Sequence, residues 1–181
     1  DNIRFGTRYR NDIGKMEKEA VADHYLQLVS LKEFSNYYVN RISGGMRQRV
    51  AIARTLAANP DVLLMDEPFG ALDAQTREFL QGQLLEINKR ERKTTIFVTH
   101  DVDESIVLAD RIFIFSARPA SVIEIIQVSQ HITGERDISV TETQSFFELR
   151  NHIRDLMRDQ ARRTQELAEQ EIIHGVEGER V

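Results

Sequence analysis

Cysteine is absent from the 181 residues, which excludes disulfide bonds and thiolate metal sites. Long apolar runs are absent too, because stretches such as residues 112–115 are far shorter than the roughly 20 residues of a membrane-spanning helix. The chain has no basic excess, since its net charge is −5. Its basic residues are interspersed with acidic ones, so we expect no nucleic-acid partner. Any link to a membrane is expected to pass through another protein.

The length of the chain and its 41% hydrophobic content allow one sizeable core, so one domain, with a possible tail, is expected. Apolar residues at spacings of three and four predict a helix from about residue 15 to residue 29. Ser43 is a natural N-cap for a second helix, which Pro60 ends near Asn59. Further helices are expected from about Ala74, after Asp101, and from about Phe146, with a disordered tail from Gly175.

Four stretches read as strands, at residues 62–65, 94–99, 111–115 and 121–126. Residues 62–65 are all apolar, which predicts a strand buried on both faces. Strands that alternate with helices favour an α/β fold with a largely parallel sheet covered on both sides. A ligand is then expected at the carboxyl ends of the strands, where Glu67 and His100 lie.

Several polar residues near those strand ends have both a functional and an ordinary interpretation. Asp66 can hold Mg²⁺ and Glu67 can orient an attacking water, but two acids at a strand end before a proline can also be no more than a solvated terminus. A single histidine such as His100 is more often a satisfied polar residue than a catalytic group. Asp73 can be only a helix cap.

Ser43, Gly44 and Gly45 pose a separate question. Two glycines at the start of a helix usually bring backbone N–H groups to a phosphate, yet no lysine follows at the spacing of a phosphate-binding loop. They can also be only a helix start with a flexible approach.

The order and spacing of these stretches along the chain favour the functional interpretation of the candidate residues over the ordinary one. The segment ISGGMRQRVAIARTLAANPDVLLMDEPFGALDA, followed by TTIFVTHDVDES, resembles the nucleotide-binding subunit of an ATP-binding-cassette transporter. With ADRIFIFSARP further on, it is most similar to importer ATPases for nitrate, sulfonate and taurine. The resemblance implies a partial P-loop NTPase (RecA-like) core with a mostly parallel sheet, a helical signature subdomain and a C-terminal helix.

The resemblance also implies a role for each candidate residue. Ser43, Gly44 and Gly45 belong to the signature motif, which contacts an ATP held mainly by the opposite subunit and its lysine. Asp66 is the magnesium-associated aspartate, and Glu67 is the general base or water-orienting residue. Asp73 lies in the loop that crosses the dimer interface, and His100 is the switch histidine. ATP and Mg²⁺ are the implied cofactors.

Three parts of the chain are expected: a helical subdomain over 1–58, the second part of the ATPase core over 59–130 and a C-terminal extension over 131–181.

The sequence has no GxxxxGK[ST] motif, no upstream aromatic residue to stack on adenine and no glutamine loop, so it resembles a subunit without its first part. We expect the chain alone to bind ATP weakly, to hydrolyse none, and to expose apolar surface that the first strands of the sheet would cover.

The implied protein is an ATPase subunit at the cytoplasmic face of the membrane. Its implied partners are a second ATPase subunit, a permease that docks near residues 10–45 and, indirectly, a solute-binding protein. One alternative is a non-catalytic fragment that keeps the permease- or dimer-binding surface. Another is a DNA-maintenance ATPase, which would need coiled-coil heptads or a basic groove, and the sequence shows neither.

Overall fold

The computed structural model describes residues 1–8, 10–116, 119–134 and 136–178, without the side chains of residue 91 and residues 163–178. The chain divides into two compact units, Asp1–His100 and Asp101–Val181. The predicted division into 1–58, 59–130 and 131–181 stays a prediction. In chain order the elements are α1 (Asn2–Gly6), α2 (Lys15–Leu28), α3 (Gly44–Ala57), β1 (Val62–Asp66), α4 (Ala74–Glu91), β2 (Thr94–Val98), α5 (Val102–Leu108), β3 (Arg111–Phe115), β4 (Val122–Gln127) and α6 (Gln144–Gly178).

Helices α1, α2 and α3 pack on one another in the first unit. The sequence predicted α2 and α3 close to their observed bounds but did not predict α1. A Cβ atom on Gly6 would lie 2.1 Å from the backbone oxygen of Arg54, so only glycine allows α1 to approach α3 this closely. This contact brings the start of the chain against the helix that Ser43 opens.

Strands β1 and β2 pair in parallel, with Asp66 opposite Val98 at their carboxyl ends. The predicted α/β class with parallel strands is therefore confirmed. Because parallel strands start at the same edge, Glu67 and His100 leave the pair on the same side. The N–H of Glu67 continues the ladder by donating to the backbone oxygen of Val98 at 2.9 Å.

The prediction that β1 is buried on both faces, in a sheet covered on both sides, is wrong. Leu63 and Met65 are buried, whereas Val62 and Leu64 are 51% and 69% exposed. Successive side chains of a strand point to opposite faces, and the described residues cover only one face of β1. The expected exposed apolar surface is therefore present, and β2 adds Ile96 and Val98 to it.

The second unit contains an antiparallel pair, β3 and β4, with Ile112 opposite Ile126. Within this unit α5 packs on α6. The side chain of Asp101 caps α5 as predicted, by accepting from the N–H groups of Asp103 and Glu104. The core of the unit combines apolar residues of the strands and helices, among them Ile106, Ile112, Ile114, Ile126, Phe146, Leu149 and Ile153.

Helix α6 continues to Gly178, which corrects the prediction of a disordered tail from Gly175. Residues 179–181 lie outside the described part of the chain. Among the helices that the structure describes, none has a stretch long and apolar enough to cross a bilayer.

Candidate functional site

The site in the first unit begins at the carboxyl ends of β1 and β2. Imidazole Nδ1 of His100 lies 2.9 Å from carboxylate Oε1 of Glu67. Both side chains are open to solvent, at 75% and 54% exposure. An ionised carboxylate can only accept, so in that state Nδ1 of His100 carries the hydrogen of this bond. If Nε2 also donates, for example to a phosphate, the ring must be positively charged.

Glu67 has an unusual backbone conformation. Its φ is 42°, in the left-handed region that residues with a Cβ rarely adopt. Such a conformation costs on the order of 1–3 kcal/mol and persists where the surroundings determine it. Here the N–H of Glu67 donates to Val98, and its carbonyl oxygen accepts from the N–H of Gly70 at 3.2 Å. From this backbone conformation the Glu67 side chain reaches His100.

Asp66 is the last residue of β1, and its side chain is exposed. The described residues contain no group of three or more His, Asp or Glu side chains that could hold a metal ion together. Magnesium at a nucleotide is bound by one or two carboxylates plus phosphate and water oxygens, so a single carboxylate at a strand end fits that ion. Asp66 would hold it, and the ion would neutralise phosphate charge.

Ser43 caps α3, because its Oγ accepts from the N–H of Met46 at 3.2 Å. Gly44 and Gly45 are the first two residues of the helix, so their N–H groups belong to its unsatisfied amino-terminal end. A Cβ on Gly45 would lie 3.4 Å from the backbone oxygen of Ala71. The start of α3 therefore lies against the loop that follows Glu67.

That loop ends at Asp73, which caps α4 by accepting from the N–H of Thr76 at 2.9 Å. This hydrogen bond holds the pKa of the Asp73 carboxyl below its ordinary value of 3.8. The cap explains Asp73 as a structural residue and fixes where the loop enters α4. The contact of Asp73 with a second subunit stays a prediction.

Sequence reasoning missed one residue of this site, Gln48. Its side-chain Nε2 donates to the backbone oxygen of Pro68 at 2.9 Å and lies 3.4 Å from that of Glu67. The sequence offered a signal, because Gln48 lies on a stripe of α3 that is small and apolar apart from Gln48 and Arg49. The other members of the half-buried or buried stripe are Gly45, Ile52, Ala53 and Leu56.

Comparisons with known proteins identify the family of the chain. The sequence pattern of the family described as ABC transporter matches residues 2–70. An uncharacterized ABC transporter ATP-binding protein of Methanocaldococcus jannaschii is 44% identical over 159 residues, which cover 88% of this chain and 57% of the relative. The chain belongs to the ABC transporter ATPase family.

Within the family, two relatives are named importer subunits. The nitrate import ATP-binding protein of Synechococcus elongatus is 42% identical over 159 residues, 87% of this chain and 58% of the relative. The taurine import ATP-binding protein of Pseudomonas aeruginosa is 41% identical over 164 residues, 89% of this chain and 62% of the relative. The 181-residue chain therefore spans less than two thirds of the length of these relatives.

A solved ABC cassette has the same fold. This dimeric structure, in a post-hydrolysis state with ADP and phosphate, is 34% identical to the chain, with a TM-score of 0.59. The similarity covers 68% of this chain and 53% of the solved one. It confirms the predicted P-loop NTPase fold class.

Proposed function

We propose that this chain is part of an ATP-binding and ATP-hydrolysing subunit that energises an ABC importer for a small solute of the nitrate, sulfonate or taurine kind. The contact between Glu67 and His100 carries the proposal, because it combines a carboxylate base and a second polar group at the carboxyl edge of a parallel strand pair. The relatives named as nitrate and taurine import proteins support the solute class.

In the proposed mechanism Glu67 orients the attacking water and takes its proton. His100 holds the Glu67 carboxylate through Nδ1 and, when doubly protonated, donates through Nε2 to the γ-phosphate of ATP. Phosphoryl transfer needs little covalent help from the protein, so the rate depends on this positioning and on the charge around the phosphate. Asp66 would hold Mg²⁺, and the bound ion would neutralise charge on the phosphate oxygens.

A second ATPase subunit completes the proposed site. Ser43, Gly44 and Gly45 present the amino-terminal end of α3 to an ATP that is held mainly by the opposite subunit, because a helix start favours an anion. Asp73 lies at the interface between the two subunits in this proposal. The dimeric cassette found among the solved structures supports such an arrangement.

The permease is proposed to bind the helical region near residues 10–45, with a solute-binding protein beyond it. A groove of about 630 Å³ in the first unit supports this docking site. Its rim includes the exposed rings of Tyr37 and Tyr38 and the acidic residues Glu19 and Asp23. Binding there would place the subunit at the cytoplasmic face of the membrane.

The second candidate function is non-catalytic, with the permease- or dimer-binding surface kept and hydrolysis lost. It differs from the first candidate in one measurable property, which is ATP turnover by the native polypeptide.

ATP hydrolysis by the native polypeptide, purified from its source cells and measured with Glu67→Gln beside it, tests the proposal. Wild-type turnover that the Glu67→Gln variant lowers by roughly 10²–10⁴-fold, with ATP binding kept, supports the ATPase. Turnover that is the same in both proteins removes Glu67 from its role. A native protein that neither binds nor hydrolyses ATP supports the non-catalytic function.

A further inference from the structure

Gln48 connects helix α3 with the turn that contains Glu67, two parts of the chain that have separate roles in the proposed function. It lies on α3, five residues after Ser43, so the helix that presents Ser43, Gly44 and Gly45 also carries Gln48 about one turn later. Its amide nitrogen donates to Pro68 at 2.9 Å and lies 3.4 Å from the oxygen of Glu67. The helix is thereby joined to the backbone of the residue proposed as the base.

The hydrogen bond from Gln48 reaches a backbone segment whose conformation has to be maintained by its contacts. With φ at 42°, Glu67 is in a conformation that nearby contacts must maintain. Its N–H is held by Val98, while its carbonyl oxygen is shared between the N–H of Gly70 and the amide of Gln48. Phe69, the next residue but one, is 1% exposed and packs its ring 5.7 Å from that of Phe97. The turn is therefore held at Glu67 N–H by Val98 and at Phe69 by packing. Gln48 donates to the carbonyl oxygens between these two points.

We propose that Gln48 is a positioning residue that holds Glu67 toward His100 and couples it to the start of α3. The proposal rests on the proposed function and deepens it. If Ser43, Gly44 and Gly45 contact an ATP held by the second subunit, then a movement of α3 toward that ATP reaches Glu67, which acts on the ATP of its own subunit. Gln48 is thus a direct connection, within one chain, between the two ATP sites of a dimer.

A purely structural role for Gln48 makes a different prediction. In that case the amide only satisfies two carbonyl oxygens, and its loss lowers stability without changing the rate of hydrolysis in the folded protein. A positioning role changes the maximal rate while the affinity for ATP stays the same, because the ATP-binding groups are elsewhere. The two roles are therefore distinguished by kcat, which falls only if Gln48 is a positioning residue, while KM stays the same.

The first experiment uses the native polypeptide without nucleotide. Gln48→Met keeps the length of the side chain and removes the donor, and Gln83→Met, at another half-buried glutamine, in α4, is the matched control. Amide hydrogen exchange of Glu67 and Gly70, followed by NMR, is expected to rise about tenfold in Gln48→Met, as for one lost hydrogen bond. Exchange that is the same in Gln48→Met and wild type overturns the proposed contact.

The second experiment measures ATP hydrolysis by the native polypeptide as its dimer. Gln48→Met is expected to lower kcat by roughly 10–100-fold with KM for ATP unchanged and with cooperativity between the two sites lost. Gln48→Lys, which keeps a donor, is expected to restore part of kcat, whereas Gln83→Met leaves it unchanged. Faster exchange with unchanged kcat and cooperativity overturns the positioning role. Absence of hydrolysis in the wild type overturns the proposed function and the coupling, while the exchange result still decides whether Gln48 holds the turn.

Discussion

Nδ1 of His100 and Oε1 of Glu67 lie 2.9 Å apart, although the two residues are 33 positions apart in the sequence. The pairing of Asp66 with Val98 explains the contact, because it ends both strands at the same level of the sheet. The two side chains are therefore placed by strand register, and the left-handed backbone at Glu67 completes the geometry.

A double-mutant cycle tests whether the two residues act as one unit. His100→Ala and Glu67→Gln are each expected to lower ATP hydrolysis by the native protein by roughly 10²–10⁴-fold, and the double variant by no more than the larger single effect. His152 and Glu124 provide a matched control, because they form a second histidine and glutamate pair at 2.9 Å in the other unit. Their variants should leave hydrolysis unchanged. Effects of His100→Ala and Glu67→Gln that multiply would contradict a shared role.

Asp73 should make the start of α4 sensitive to acid. The hydrogen bond from Thr76 lowers its pKa in the folded chain below the ordinary value of 3.8. The ionised cap therefore stabilises the fold above pH 3.8, and this contribution is lost as the pH falls through the lowered value. An NMR titration of the Asp73 carboxyl should show a midpoint below 3.8, and Asp73→Asn should remove that titration. A midpoint at or above 3.8 would show that the cap does not form in solution.

Leu63 and Leu64 are neighbours on opposite faces of β1 and give opposite predictions. Leu63 is 1% exposed, so Leu63→Ala should lower the free energy of unfolding by roughly 2–5 kcal/mol. Leu64 is 69% exposed, so Leu64→Ala should lower it by less than about 1 kcal/mol. Urea unfolding of the two variants measures both values. Equal losses would mean that another part of the polypeptide, or a second copy, covers the face on which Leu64 lies.

Arg150 should stabilise the second unit more than Arg154 does. It donates to Asp103 at 3.4 Å, and its guanidinium lies 4.6 Å from the ring centroid of Phe147, whereas Arg154 reaches Asp103 only at 3.8 Å and is 48% exposed. Arg150→Ala is expected to cost about 1–2 kcal/mol, since both an ion pair and a cation–π contact are lost. Arg154→Ala should cost less than about 1 kcal/mol. Thermal unfolding of the two variants measures both losses of stability. A greater loss with Arg154→Ala than with Arg150→Ala would contradict this ranking.

The sequence by itself determined the features that depend on short separations along the chain. The caps at Ser43, Asp73 and Asp101 follow from it, because each side chain accepts a hydrogen bond from an N–H two or three residues ahead. The positions of the four strands and of the helices other than α1 follow from local residue patterns for the same reason, although the end of α6 was predicted too early. The motifs around Ser43, Glu67 and His100 were sufficient to indicate the family.

Only the tertiary structure decided which residues meet across longer separations. The buried face of β1 depends on what covers it, and an all-apolar run such as residues 62–65 gives no information about that choice. The antiparallel pairing of β3 with β4 and the approach of Gly6 to Arg54 were likewise not predicted. The bond from Gln48 to Pro68 spans 20 residues, and that from His100 to Glu67 spans 33. Both require the chain to return to the same edge of the strand pair, which is a property of packing rather than of local sequence.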